Sequence, residues 1–362
     1  MKKMTLLCLA FFVFLNVQAI AQESPTDIIL SFLKNNPNKM SLSYSVNGKE
    51  YIHYSDDLLV TVGQLSNMVI AVEYARQAAA GKIQPEKPVK ISDINVYNLN
   101  TNRFNVWTDY LTYTKKLRGG SIRLKDVAAG MISFSSESCA DYLIDLLGME
   151  NINDNLQKLK LYQHTQIFPI GAADMLCSNP YNSPPELYID SLYKLSQTDF
   201  IDATIKLRET LKKDTVLLNQ INYESEHKHE YLSLLSDKAP KSSTQEYVSL
   251  AEKINSRNYF SKAEQDHLNY VMEAIPMTSP ITSKHFQYCG FMTSANIDMV
   301  MAVLYGTDKK GNKVQLACVF SDLSRSEHID IATNINHFIF DIAENFDHMR
   351  KFKSELNNII RN

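Results

Sequence analysis

Apolar residues in this chain change their spacing several times, and each change marks an element. Between Thr61 and Lys82, Leu65, Met68, Val69, Val72, Ala75 and Ala79 recur at helical spacing. No charge appears in that stretch before Glu73, and Gly81 stands where a helix C-terminus is capped. A helix this apolar belongs inside a protein. Upstream, Thr26 to Leu33 reads as a short amphipathic helix. Lys39 to Tyr54 alternates on both sides of Asn47-Gly48, the strongest two-residue hairpin signal. Residues 84–120 are polar and turn-rich and read as irregular; they hold the single tryptophan, Trp107. Ser121 opens a predicted helix carrying Leu124, Val127, Ala128 and Met131. A serine-rich turn, Ser133 to Ser136, ends it, and a second helix runs from Ser138 to Gly148.

Residues 183–275 read as helical and charged. Ser183 to Glu186, Ser242 to Gln245 and Ser261 to Glu264 have capping-box spacing and predict three helix starts. Three strands follow, at His285–Thr293, Ile297–Tyr305 and Lys313–Phe320, with a turn at Asp308–Asn312 between the last two. Ile329 to Ile360 reads as one long amphipathic helix. The expected fold class is α/β of the α+β kind: an antiparallel five-stranded sheet flanked by the terminal helices, plus an all-helical lobe. The sheet lobe takes about 22–60 and 280–362, and the helical lobe about 61–279.

The first 21 residues change the expected compartment. Lys2 and Lys3, the apolar run Leu6 to Val17 and the Ala19-Ile20-Ala21 site have the form of a secretory signal peptide. The run is short for a membrane span, and Thr5-Leu6-Leu7 before Cys8 is not a lipoprotein cleavage context. A periplasmic or secreted chain beginning at Gln22 is expected, with no transmembrane segment after cleavage. The net charge of −3 becomes −5 without the two lysines, which is too acidic for a general nucleic-acid binder. A hydrophobic fraction of 44% supplies a sizeable core. Cys139, Cys177, Cys289 and Cys318 follow neither a disulfide-scaffold nor a zinc spacing and read as buried thiols. His227-Lys228-His229 lacks an acidic or cysteine partner nearby and reads as a solvated loop. No metal or cofactor is expected, since no phosphate-binding glycine loop is present either.

The element order and three segments carry a resemblance: AVEYARQAAAGKI (71–83), IRLKDVAAGMISFSSESCADYLIDLLG (122–148) and the strand pair near 297–320. Over nearly the whole chain beyond residue 21, the sequence resembles the class A β-lactamase and penicillin-binding-protein superfamily of serine hydrolases. That resemblance implies a serine acyl-enzyme mechanism on three motifs, S-x-x-K, S-x-N and K-T-G. A serine hydroxyl needs a nearby base, and a lysine one helical turn on supplies it when its pKa is lowered. The K-T-G strand binds a substrate carboxylate, and backbone N–H groups form the oxyanion hole.

Counting back from Gly81 places the nucleophile on Gln64 and the lysine on Asn67. Neither amide is a nucleophile or a base at neutral pH. A second register, starting at Thr61, keeps a hydroxyl but puts Gln64 at the lysine. Ser66 is on the wrong face of the helix and reads as bonded to its own backbone. Ser135-Ser136-Glu137 takes the second motif and loses the asparagine. Anchored on Gly290, Tyr288-Cys289-Gly290 takes the third, with Lys284 too far upstream to substitute. Glu186, the nearest match to the deacylating glutamate of class A enzymes, belongs to a capping box instead. Cys139 and Cys289 flank two motif positions and could meet across the cleft. The expectation is a pseudoenzyme that binds a peptidoglycan fragment, a peptide or a partner. The alternative is an active serine hydrolase using Thr61, Ser66 or Ser135.

Overall fold

The computed structural model describes residues 24–97, 102–213 and 227–361, so the expected signal segment lies outside the described residues. The chain opens with α1 (Pro25–Asn35), capped by the Ser24 hydroxyl. The hairpin β1 (Met40–Val46) and β2 (Lys49–Tyr54) follows. Asn47 and Gly48 take φ of 54° and 70°, the left-handed pair that a tight hairpin turn demands. After β3 (Val60–Thr61), one 3₁₀ turn at Gly63–Ser66 leads into α2 (Asn67–Ala79), the central helix. Nearly every side chain of α2 is buried.

Then come β4 (Pro88–Lys90), α3 (Ile91–Asn95), α4 (Asn102–Tyr113), β5 (Ser121–Arg123), α5 (Leu124–Ser133) and α6 (Glu137–Leu147). The helical lobe continues with α7 (Met149–Lys158), α8 (Ile170–Cys177), α9 (Pro185–Tyr193), α10 (Gln197–Lys213) and α11 (Lys228–Lys238). The short β6 (Lys241–Ser242) pairs with β3. It is followed by α12 (Thr244–Ser256), α13 (Lys262–Glu273) and α14 (Pro280–His285). The chain ends with β7 (Phe286–Ala295), β8 (Val300–Asp308), β9 (Lys313–Phe320), α15 (Arg325–Glu344) and α16 (Phe346–Arg361).

The expected sheet is present. Its order is β2-β1-β9-β8-β7, antiparallel throughout, so strands from both ends of the chain form one surface. Alternate residues bury both faces. Leu42, Tyr44, Leu316 and Phe320 meet Phe338 and Phe352 of the terminal helices on one side. On the other side α12 and α13 cover the sheet and join it to α2 and the helical lobe. Among the described residues no helix is long and apolar enough to cross a membrane.

Several sequence expectations are corrected. The stretch 84–120 contains α3 and α4, and Trp107 on α4 is fully buried. The segment from Ser121 begins as β5, and the helix starts at Leu124. The Ser183 box does not form: Asn179 holds both the N–H and the carbonyl of Ser183 in a turn, and α9 starts after Pro184 without a side-chain cap. At α12 the cap is Ser243, whose hydroxyl accepts from Glu246 N at 3.2 Å. The Ser261 box forms in full, as does an unforeseen one at Ser324 and Glu327. The terminal helix is two helices. Asn345 takes extended backbone, and its side-chain oxygen accepts from Asp347 N and His348 N, starting α16 afresh. Lys228 and His229 are not in a loop; they open α11, exposed on its first turn.

Candidate functional site

The N-terminal end of the central segment is the meeting point of three elements. Gln64 sits in the 3₁₀ turn ahead of α2 and is only 8% exposed. Its amide Nε2 donates to Glu137 Oε1 at the start of α6. Its Oε1 accepts from the Ser294 hydroxyl near the end of β7, at 3.0 Å. A carboxamide offers both a donor and an acceptor, so one side chain ties α6 to β7. One turn on, buried Asn67 donates to the carbonyl of Met131 on α5, at 3.4 Å.

Ser135 and Ser136 form the turn between α5 and α6. Ser135 takes φ of 48°, an uncommon conformation for a residue with a Cβ. Its hydroxyl donates to the carbonyl of Thr293, at 2.8 Å. Ser136 caps α6 by accepting from Cys139 N. The other hydroxyls considered from sequence are committed to backbone carbonyls: Ser66 to Gly63 at 2.6 Å, and Thr61 to Ser236 at 3.1 Å. Glu186 is exposed on the first turn of α9. A peptide carbonyl cannot take a hydroxyl proton at neutral pH, so these bonds position the serines and threonine without activating them.

The strand contact lies further along β7 than the Tyr288–Gly290 positions expected from the sequence. The part of β7 that meets Gln64 and Ser135 is Thr293–Ser294, about 20 Å along the strand from Tyr288 at strand rise. Tyr288 instead lies under the Arg257 guanidinium, 3.6 Å from its ring centroid. Gly290 is a packing glycine: a Cβ there would be 2.3 Å from the Tyr305 ring. Met292, two residues before Ser294 and on the same strand face, is buried among the apolar residues of the α2 side. Thr293 and Ser294 are the available sequence signal, a hydroxyl pair at the end of the predicted strand, but the glycine three positions before Thr293 is the more conspicuous marker. Lys284 lies in the last turn of α14, before the strand begins.

Beside these groups lies a cavity of about 260 Å³. Ser133, Phe134, Ser135, Thr293 and Ser294 line it together with Asn336 of α15, and no lining residue is charged. The cysteines do not join this site. Cys139, Cys177, Cys289 and Cys318 are free and buried, and burial raises the pKa of each thiol. Cys139 packs in the α2 core, while Cys289 points to the terminal helices across the sheet.

One turn beyond Glu137, Asp141 carries the strongest carboxylate perturbation near the site. It is 1% exposed and accepts from Gly171 N and Ala172 N, at 3.4 and 2.9 Å, at the start of α8. Burial pushes its pKa up to about 7, against the pull of those N–H groups and Arg208. Between the ordinary carboxylate range and about 7, the folded state therefore binds more protons than the unfolded state. The contribution of Asp141 to stability is full at low pH and is lost as pH rises through that window. The melting temperature of Asp141→Asn relative to the parent is expected to rise between pH 5 and pH 8. A difference that stays constant or falls would show that Asp141 ionises normally.

A model of the beta-lactamase enzyme family matches residues 24–284. No curated protein matches the sequence. Among solved structures, a β-lactamase from Chitinophaga pinensis DSM 2588 is similar at TM-score 0.51 and 14% identity, covering 88% of this chain and 99% of that one. A representative class A β-lactamase from Bacteroides cellulosilyticus DSM 14838 gives 0.50 and 13%, covering 88% and 98%. PBP-A gives 0.50 and 11%, covering 88% and 95%. At such identities the structural likeness is one of fold. The family model spans well over half of the chain, and the chain belongs to the beta-lactamase enzyme family.

Proposed function

We propose that this protein is an exported, catalytically inactive member of its family, which binds a peptide, a cell-wall fragment or a partner protein in the cleft beside Gln64. The observation carrying this reading is the carboxamide of Gln64, fixed between Glu137 and Ser294 at the head of the central helix. A serine acyl-transfer site needs a hydroxyl there and a lysine one turn on, and Asn67 stands at the second position bonded to a carbonyl. On this reading the K-T-G slot falls on Met292-Thr293-Ser294, which keeps only the hydroxyl of the middle residue. The uncharged lining of the neighbouring cavity favours a neutral amide-bearing ligand over a free carboxylate. Export is supported by the basic start, apolar run and A-x-A site of the first 21 residues. N-terminal sequencing of host-secreted protein is expected to begin at Gln22, and an intact Met1 would count against it.

The purified protein is expected neither to hydrolyse a chromogenic cephalosporin nor to retain a fluorescent penicillin. Weak turnover would not decide the matter, because folds stripped of their catalytic groups keep some background rate. Mass spectrometry decides it. A stable acyl adduct mapped to Thr61, Ser66 or Ser135 would establish an active hydrolase with an unusual nucleophile.

A further inference from the structure

β1 breaks a packing rule. Its sequence, MSLSYSV, alternates serine with apolar residues as though one face met water. Both faces are covered, and Ser41, Ser43 and Ser45 are 3%, 2% and 3% exposed on the side facing α12. Ser41 is bonded to Thr244 of α12, and Ser45 to Gln315 of β9. Ser43, between them, opens on a groove of about 580 Å³. Valine or leucine at Ser43 and Ser45 would narrow its floor and remove two hydroxyls from it. Small hydroxyl side chains on a buried strand face keep it open.

The groove runs between the hairpin, α12 and the loop after α7. Its walls are planar hydrogen-bonding groups and hydroxyls: Gln163, Gln245, Glu252, Ser249 and Ser43. Gly48, at the hairpin turn, lies so close to Glu252 that a Cβ would be 3.1 Å from its carboxylate oxygen. Tyr162 stands at the rim, 67% exposed. One ammonium, Lys160, is set against two carboxylates, Glu246 and Glu252, so the groove does not suit an anion. Glu246 is already held by Gln163 N and the Ser242 hydroxyl. The described residues contain no cluster that could hold a metal ion. The volume is in the range of small-molecule sites, though the walls are more polar than most.

We propose that this groove binds a saccharide, with Tyr162 stacking on the C–H face of one sugar ring and Gln163, Gln245, Glu252 and Ser43 bonding its hydroxyls. A sugar is an uncharged ligand with many donors and acceptors, which is what amide, carboxylate and hydroxyl groups in one wall can satisfy. An exposed aromatic ring supplies the apolar contact at low entropic cost. The site is separate from the cleft beside Gln64 and does not depend on how that cleft is used.

Saturation-transfer NMR on the chain without its first 21 residues tests this, with maltotriose, cellotriose and N-acetylchitotriose as probes and inorganic phosphate as the anion control. At least one trisaccharide is expected to show saturable transfer, and preference for the acetylated sugar would point to amino-sugar glycans. Tyr162→Ala, at an exposed position, is expected to weaken binding at least tenfold with an unchanged melting curve. Ser43→Val narrows the floor of the groove and removes one of its hydroxyls, and is expected to weaken binding at least fivefold while leaving the melting temperature equal or higher. Should Ser43→Val fail to fold, Glu252→Gln takes its place, with a loss of at least fivefold expected. No saturable transfer from any trisaccharide, transfer that survives Tyr162→Ala, or binding of phosphate alone would overturn the assignment.

Discussion

Trp107→Ala is expected to cost about 3–5 kcal/mol of unfolding free energy, the range for removing a large aromatic from a packed core. The indole is fully buried in the core that surrounds α2. It lies against Gly130 of α5 so closely that a Cβ there would be 2.4 Å from the indole nitrogen. The two positions are therefore coupled. Gly130→Ala alone forces the indole out of place and is expected to destabilise. In the Trp107→Ala background the added methyl faces a cavity, and Gly130→Ala is expected to recover part of the loss. Urea melts of the two single variants and the double variant give the coupling energy directly. A loss below about 1 kcal/mol for Trp107→Ala would mean that α4 is not anchored through this contact.

The helix carrying that tryptophan is also the plainest example of what the sequence did not disclose. In α4 the strongly apolar residues are Phe104, Val106, Trp107 and Leu111, and Val106 among them is exposed. Polar neighbours dilute the period. β9 is the opposite case: its apolar run is bounded by a turn in which the Asp308 side chain accepts from Lys310 N and Asn312 N, and its observed limits match the predicted ones. The two halves of the candidate site divide in the same way. A helix is a fixed ruler, and counting back along it from Gly81 reaches Gln64, the residue found against Glu137 and Ser294. A strand offers only a period of two, so several positions along β7 present the same face. Gly290 is the conspicuous marker there, and its absent side chain makes room for Tyr305 rather than for a ligand.

Gln64→Ser, Asn67→Lys and Met292→Lys together are expected to yield a penicilloyl adduct that none of the single variants yields. Catalytic groups of this kind act as a unit, so each restored residue alone adds little. Asn67→Lys by itself places an ammonium in a 3% exposed site, and burying an unpaired charge is costly. Glu137 supplies a carboxylate nearby, already within hydrogen-bond reach of the Gln64 side chain. Met292→Lys replaces a buried apolar side chain and is expected to be the least stable single variant. Thermal melts separate folded from unfolded variants, and intact-mass spectrometry after penicillin treatment reads the adduct. A folded triple variant with no adduct would mean that Met292-Thr293-Ser294 is not the vestigial third motif, or that Glu137 blocks the chemistry.

The pairing of β1 with β9 has a kinetic consequence. β1 lies inside the sheet, but Met40 pairs with Phe320, so the strand is finished early in synthesis and has no long partner on that side until almost the whole chain has appeared. Contacts so distant in sequence slow folding, because a large loop must close before they return any energy. During that wait β1 and β2 form a lone hairpin with an open edge, the kind of surface on which chains pair wrongly. Ser41, Ser43 and Ser45 make one whole face of that waiting strand polar. Ser43 and Ser45 line a groove in the folded protein; together with Ser41 they keep its first hairpin soluble while the last strand is still being made.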